Sequence, residues 1–177
     1  MGGGSDLEFE QRASEVEGIY RVDSHLMNEA ACAPGGSAMQ DSHRFAFAKR
    51  GNVFGTEYLQ VYSCASLDDC RQKAAQSQFS GVIDFGFTLS AVDGDLLTGT
   101  MSTSGYSDGG STCSMPEMQR LTLALDGDAL RIEGAIHIGE DYQTSDGICW
   151  TDKGLEASED APCTQMETLT ATFVEAL

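Results

Sequence analysis

The sequence predicts an all-β domain: an eight-stranded antiparallel up-and-down barrel with one short helix. Three observations carry this. Apolar and polar residues alternate along eight separate runs, the period of a half-buried strand. Acid-glycine signals such as Asp93-Gly94-Asp95 and Asp126-Gly127-Asp128 stand between runs, where Gly supplies the positive φ a hairpin turn needs. Thr and aromatic side chains crowd the runs themselves, which favours strand over helix. Closure removes the exposed edges of an open sheet. Alternation alone does not fix closure, so a two-sheet β-sandwich is the alternative fold.

The elements follow in order. Residues 1–16 read as a Gly/Ser tether, Gly2 to Ser5, and an acidic arm for which Glu8, Glu10, Glu15 and the adjoining Glu17 predict solvation, with at most a turn of helix over 6–16. The barrel domain is then 17–177. Run 17–28 puts Tyr20, Val22, Ser24 and Leu26 on one face, with Arg21, Asp23 and His25 opposite. Run 43–50 carries Phe45 and Phe47, Gly51-Asn52 reads as a two-residue turn, and 53–63 continues with Tyr58, Leu59, Val61 and Tyr62. The one helix starts at Ser66, a good N-cap with Asp69 three residues on, and runs to Gln76. Run 81–91 aligns Ile83, Phe85, Phe87 and Leu89, and 96–105 is a Thr/Ser-rich strand with Leu97, Gly99 and Met101. Leu121, Leu123 and Leu125 enter a hairpin from which Leu130, Ile132, Ile136 and Ile138 return. Run 165–176 closes the set with Leu169, Ala171 and Phe173.

In a chain of 177 residues, 28 acidic side chains face 10 basic ones, for a net charge of −18. With no Lys/Arg cluster, a nucleic-acid or anionic-lipid surface is excluded, since phosphate contacts need cations. No apolar run approaches the roughly 18 residues of a membrane-spanning helix. Cys32, Cys64, Cys70, Cys113, Cys149 and Cys163 form no CxxC, and the histidines are far from ligand spacing. Three disulfides are therefore expected rather than a zinc site, and with them export to an oxidising compartment.

An up-and-down path alternates its connections between two ends. The short turns at 51–52, 92–95 and 126–128 share one end; the long connections at 29–42, 64–80, 106–117 and 140–164 share the other. Every cysteine lies in or beside a long connection, so all six are expected at one pole. Adjacency of loops points to Cys113 pairing with Cys149 or Cys163, and Cys32 with Cys64 or Cys70. The same pole gathers Met27, Met39, Tyr106, Met115, Met118, Tyr142 and Trp150. Met and aromatics enrich interface cores, so these seven are the candidate binding rim. The competing reading makes them a plug for the barrel mouth.

Catalytic signals are lacking. His25 and His137 are placed outward, beside Asp23 and Glu133, and no GxSxG elbow accompanies any serine. The acid pairs Asp93/Asp95, Asp126/Asp128, Glu140/Asp141 and Glu159/Asp160 are local, unlike the facing carboxylates of a glycosidase. The oxygen-rich loops Asp108 to Ser111 and Asp141 to Asp146 are the places to look for calcium, yet neither has EF-hand spacing. No catalytic residue, metal or cofactor is assigned.

Gly18-Ile19-Tyr20 opening the first run, the eight-run meander and an interior helix resemble the lipocalin-type (calycin) barrels, with Tyr20 where that family has Trp. The resemblance implies a small apolar ligand carried inside the barrel. The chain also resembles predicted lipoproteins of bacterial envelopes, through the tether at 2–5, the Gly-x-Tyr strand, Ser63-Cys64 and Asp69-Cys70 around the helix, and Thr170 to Val174. That implies surface anchoring and no assigned activity, with membrane contact only through a lost N-terminal lipid anchor. The tether reads either as a cloning scar or as the start left when an export signal was removed, Met1 standing in for the last residue of that signal, and a monomer is expected. The expected function is non-catalytic binding of a small apolar molecule in the interior. The alternative is a protein-interaction or inhibitor module that meets an envelope protein with its braced loops. A hydrolase ranks last.

Overall fold

A computed structural model describes residues 3–76, 81–107 and 109–177. Gly2 of the expected tether and Asp108 of the first oxygen-rich loop lie outside the described residues. In chain order the elements are α1 (Gly3–Val16), β1 (Gly18–Asn28), β2 (Ser37–Ala38), β3 (Phe45–Val53), β4 (Thr56–Cys64), α2 (Leu67–Ala74), β5 (Gly86–Leu89) and β6 (Ala91–Asp93). There follow β7 (Leu96–Thr103), β8 (Tyr106–Ser107), β9 (Thr112–Ser114), β10 (Glu117–Asp126), β11 (Ala129–Ile138), β12 (Tyr142–Gln143), α3 (Thr151–Ser158) and β13 (Cys163–Glu175).

One antiparallel sheet runs β5-β4-β3-β1-β13-β11-β10-β7-β6, with β2 added beside β1. Its two ends, β5 and β6, are separated by Ser90 alone, and the Ser90 N–H donates to Thr98 O at 2.9 Å. The sheet therefore bends round into a nearly closed, barrel-like wall, in which the first and last long strands, β1 and β13, are neighbours. The path has nine strands, not eight, because run 81–91 does not stay with one partner. Residues 86–89 pair with β4 while 91–93 pair with β7.

That change of partner needs Gly99. A Cβ on Gly99 would stand 2.2 Å from Thr88 O and 2.9 Å from the Leu89 Cα, where β5 passes β7. Backbone cannot yield there as a side chain would. Gly99→Ala is expected to lower unfolding stability by about 1–3 kcal/mol, read from urea titration; an unchanged midpoint would show that the seam is not so tight.

Inward side chains fill the wall: Tyr20, Leu59, Phe87, Leu97, Leu123, Leu130 and Leu169 belong to one buried cluster. The short-turn end of this cluster is closed by α1, which corrects the reading of 6–16 as a solvated arm. Phe9, Ala13 and Val16 recur at helical spacing and are buried among the barrel residues. The acids that suggested solvation lie on the other face, where Arg12 meets Asp95 at 3.2 Å. Glu17, just past the helix, holds Arg50 at 2.7 Å.

The first hairpin turn falls at Phe54-Gly55, not Gly51-Asn52. Gly51 is a strand residue opposite Tyr58, and a Cβ there would strike the Tyr58 ring at 2.4–2.7 Å. The glycine marks a close approach rather than a reversal. Asn52 serves the turn from outside it, accepting the Gly55 N–H at 2.9 Å.

Helix α2 begins as expected: Ser66 Oγ accepts the Asp69 N–H at 3.1 Å, and Asp69 accepts the Ala65 N–H at 2.7 Å. It covers the outer face of the wall, where Cys70 and Ala74 pack with Ile19, Phe47 and Cys64. A third helix, α3, was not foreseen. Trp150 at its N-cap makes no side-chain cap bond, and Gly154 interrupts its eight residues, so no start signal or strong propensity announces it.

Candidate functional site at the long-loop end

Strand register assigns the two ends. Val53↔Thr56, Asp93↔Leu96 and Asp126↔Ala129 flank the short turns, whereas Phe45↔Cys64, Thr103↔Glu117 and Asn28↔Met166 lie at the opposite end. Three disulfides form: Cys32–Cys163, Cys64–Cys70 and Cys113–Cys149. The Cys113 expectation holds for Cys149, but Cys32 does not reach Cys64 or Cys70. With β1 and β13 adjacent, Cys32 emerges beside Cys163, a neighbour 131 residues away in sequence. Closing so long a loop is worth about 5 kcal/mol in the chain-entropy picture. Cys64–Cys70 is local and ties the end of β4 to α2 on the outer wall. Three such bonds belong to an oxidising compartment outside the cytoplasm.

Beyond the barrel mouth, β8, β9 and β12 form a second, three-stranded sheet that Cys113–Cys149 fastens to the start of α3. Polar bonds hold Trp150, Ile148, Tyr142 and Met115 in this lobe. Trp150, 53 % exposed, donates its indole N–H to Asp146 Oδ2 at 2.9 Å. Asp146 also accepts from Thr144 Oγ1 at 2.7 Å and Ile148 N at 3.0 Å. The Thr144, Trp150 and Ile148 donors together pull its carboxyl down to about 2. Tyr142 Oη donates to Ser104 O at 2.5 Å, joining β12 to the end of β7. Met115, 56 % exposed, holds φ +53° while its N–H donates to Asp141 Oδ1 at 3.1 Å. That conformation is costly for a bulky residue.

Of the seven rim candidates, this lobe brings together Tyr106, Met115, Tyr142 and Trp150. Tyr106, Met115 and Trp150 are exposed, and Tyr142 is half-buried in its bonds. Met39 is exposed on the 29–44 connection, and Met27 is half-buried on β1; both line a cleft of about 510 Å³. A second cleft, about 620 Å³, opens between residues 138–142 and the end of α3. Met118 does not belong to the rim: it is 2 % exposed on the outward face of β10, the strand against which α3 packs. The sequence reading missed Ile148, exposed beside Trp150.

It also misplaced His25. Between Val22 and Ser24 the β1–β13 register slips, so that Val22 faces Ala171 and Ser24 faces Thr170. The extra residue reverses the alternation. His25 and Met27 turn inward opposite Leu169 and Glu167, while Ser24 and Leu26 turn out. His25 is 6 % exposed, edge-on to Phe85 at 4.8 Å between ring centres. Its Nε2 lies 2.6 Å from Glu167 Oε1, and its Nδ1 is hydrogen-bonded to Asp41. Glu167 Oε2 further accepts Gln119 Nε2 at 2.6 Å. Burial disfavours the charged ring, but the bonds to Glu167 and Asp41 and their charges outweigh it and hold the His25 pKa above its ordinary value. Burial and the charge of Glu167 raise the nearby Glu117 carboxyl as well.

The other histidines are tied in too. His43 Nδ1 lies 2.9 Å from Ser63 Oγ, a fully buried oxygen that already accepts the Asp84 N–H at 2.7 Å. His137, outward as expected, donates Nδ1–H to Ala161 O at 2.7 Å. With both His25 nitrogens on carboxylates, that ring acts as a clamp between segments. Comparison with family models, curated proteins and solved structures finds no match for this chain.

Proposed function

We propose that this is a non-catalytic binding domain of an exported envelope lipoprotein, and that it meets a protein partner with the lobe built from β8, β9, β12 and the start of α3. The observation that carries the reading is Met115: a large apolar side chain, exposed, in a strained backbone conformation, on a sheet stapled by Cys113–Cys149. Folding gains nothing from such strain, so a role in contact explains its presence. Trp150, Ile148 and Tyr106 supply the aromatic and apolar area that dominates interface energetics. Bonds such as Trp150 to Asp146 hold the surface ready, which lowers the ordering cost of association.

Carriage of a small apolar molecule inside the barrel is the second reading. Phe9, Val16 and the ring of leucines pack together in the interior as one buried cluster, which favours the exposed lobe as the contact surface. The test is capture of a partner from a cell-envelope extract. Met115→Gly should abolish capture while raising the unfolding temperature, because Gly accepts the positive φ; Trp150→Ala should also abolish it. Undiminished capture by both variants would refute the lobe.

A further inference from the structure

His25 joins two carboxylates that differ in what else holds them. Glu167 stands on β13, in the wall, and is held by Gln119 as well. Asp41 belongs to the strap of residues 33–41 that runs along the end of β1 at the long-loop end, and among the described residues His25 is its only hydrogen-bond partner. The strap is pinned at both ends. Cys32–Cys163 fixes one; at the other, Asp84 accepts Ser42 Oγ–H at 3.2 Å and the His43 N–H at 2.6 Å. Between them lie Gly35 and Gly36, both at positive φ, the two-residue β2, and a bond from Met39 N–H to His25 O at 2.9 Å.

We propose that His25 is a proton-operated latch that holds the 33–41 strap against the barrel wall beside the end of β1. Ionised carboxylates only accept hydrogen bonds, so both Asp41 and Glu167 are satisfied when each ring nitrogen carries a proton. The neutral ring has a single N–H. Glu167 keeps that N–H because Gln119 holds it in place, and Asp41 is left against a lone pair on a segment with a glycine hinge. Loss of the proton therefore frees the strap. The charged groups facing the ring are Asp41 from the strap and Glu167 from β13, with Glu117 of β10 behind Glu167; β5 contributes the Phe85 and Phe87 rings. Asp41 and Glu167 both favour the protonated ring. The latch is closed in acid and opens as pH rises through a value above the ordinary ~6.5 of histidine.

This goes beyond the partner reading and is tested on the protein alone. Amide hydrogen exchange of residues 37–41, corrected for intrinsic rates, is measured against pH beside the NMR titration of the His25 ring. Protection should fall at least tenfold across that titration. Asp41→Asn, whose amide pairs with either form of the ring, should make strap protection independent of pH, whereas His137→Asn should keep the transition. Strap protection that stays constant while His25 titrates would overturn the latch, as would a transition that survives in Asp41→Asn. Should Asp41→Asn fail to fold, the wild-type titration decides by itself.

Discussion

Phe9→Ala is expected to destabilise the whole domain by about 3–5 kcal/mol, the cost of emptying a buried aromatic site. Phe9 is 3 % exposed within the cluster that fills the barrel, next to Gly55-Thr56 and Ser90 to Val92. If 1–16 were an arm outside the domain, the same substitution would change stability by less than about 0.5 kcal/mol. Urea unfolding followed by circular dichroism separates these outcomes. Glu8→Ala, on the exposed face of the same helix, is the matched control and should be close to neutral.

His25→Leu should cost about 3–5 kcal/mol near neutrality, since Asp41 and Glu167 are left without the cation between them. The pH dependence carries a sign. A histidine whose folded pKa is raised contributes fully below its unfolded value, ~6.5, and loses that contribution as pH rises through the folded value. The stability gap between wild type and His25→Leu should therefore narrow on the alkaline side. Urea midpoints taken across the His25 titration would contradict this if the gap widened with pH.

Much of the wall was legible because hairpins are local. The Leu121–Leu125 and Leu130–Ile138 arms pair around Asp126-Gly127-Asp128 as their alternation indicated. The α2 cap was equally readable, since Ser66 and Asp69 act within one turn. What failed depends on contacts distant in sequence. The β1 bulge exists to fit β13, some 150 residues on, and nothing in Val22-Asp23-Ser24 announces it; with it went the orientation of His25. Cys32–Cys163 follows from the adjacency of first and last strands, which loop order conceals. The break at Ser90 is imposed by closure of the wall rather than by any turn residue. Helix α1 was hidden by its own acids: Phe9, Ala13 and Val16 make a narrow apolar stripe among Glu8, Glu10, Glu15 and Glu17.

At the rim, composition located Met115 and Trp150 but not the difference between them and Met118. All are large apolar residues in long connections or at strand ends, but Met118 is buried on β10, the strand against which α3 packs. The strain at Met115 is likewise invisible in sequence, because a residue type does not report its φ.

Trp150 is the single tryptophan of the chain, which makes it a private probe of the lobe. With 5-fluorotryptophan incorporated, one ¹⁹F resonance reports its surroundings even in a crude mixture. On addition of the envelope extract from which a partner is captured, that resonance should shift or broaden, and Met115→Gly should prevent the change. An unaltered resonance in a sample where the domain is demonstrably complexed would place the contact on another face and contradict the lobe as the binding surface.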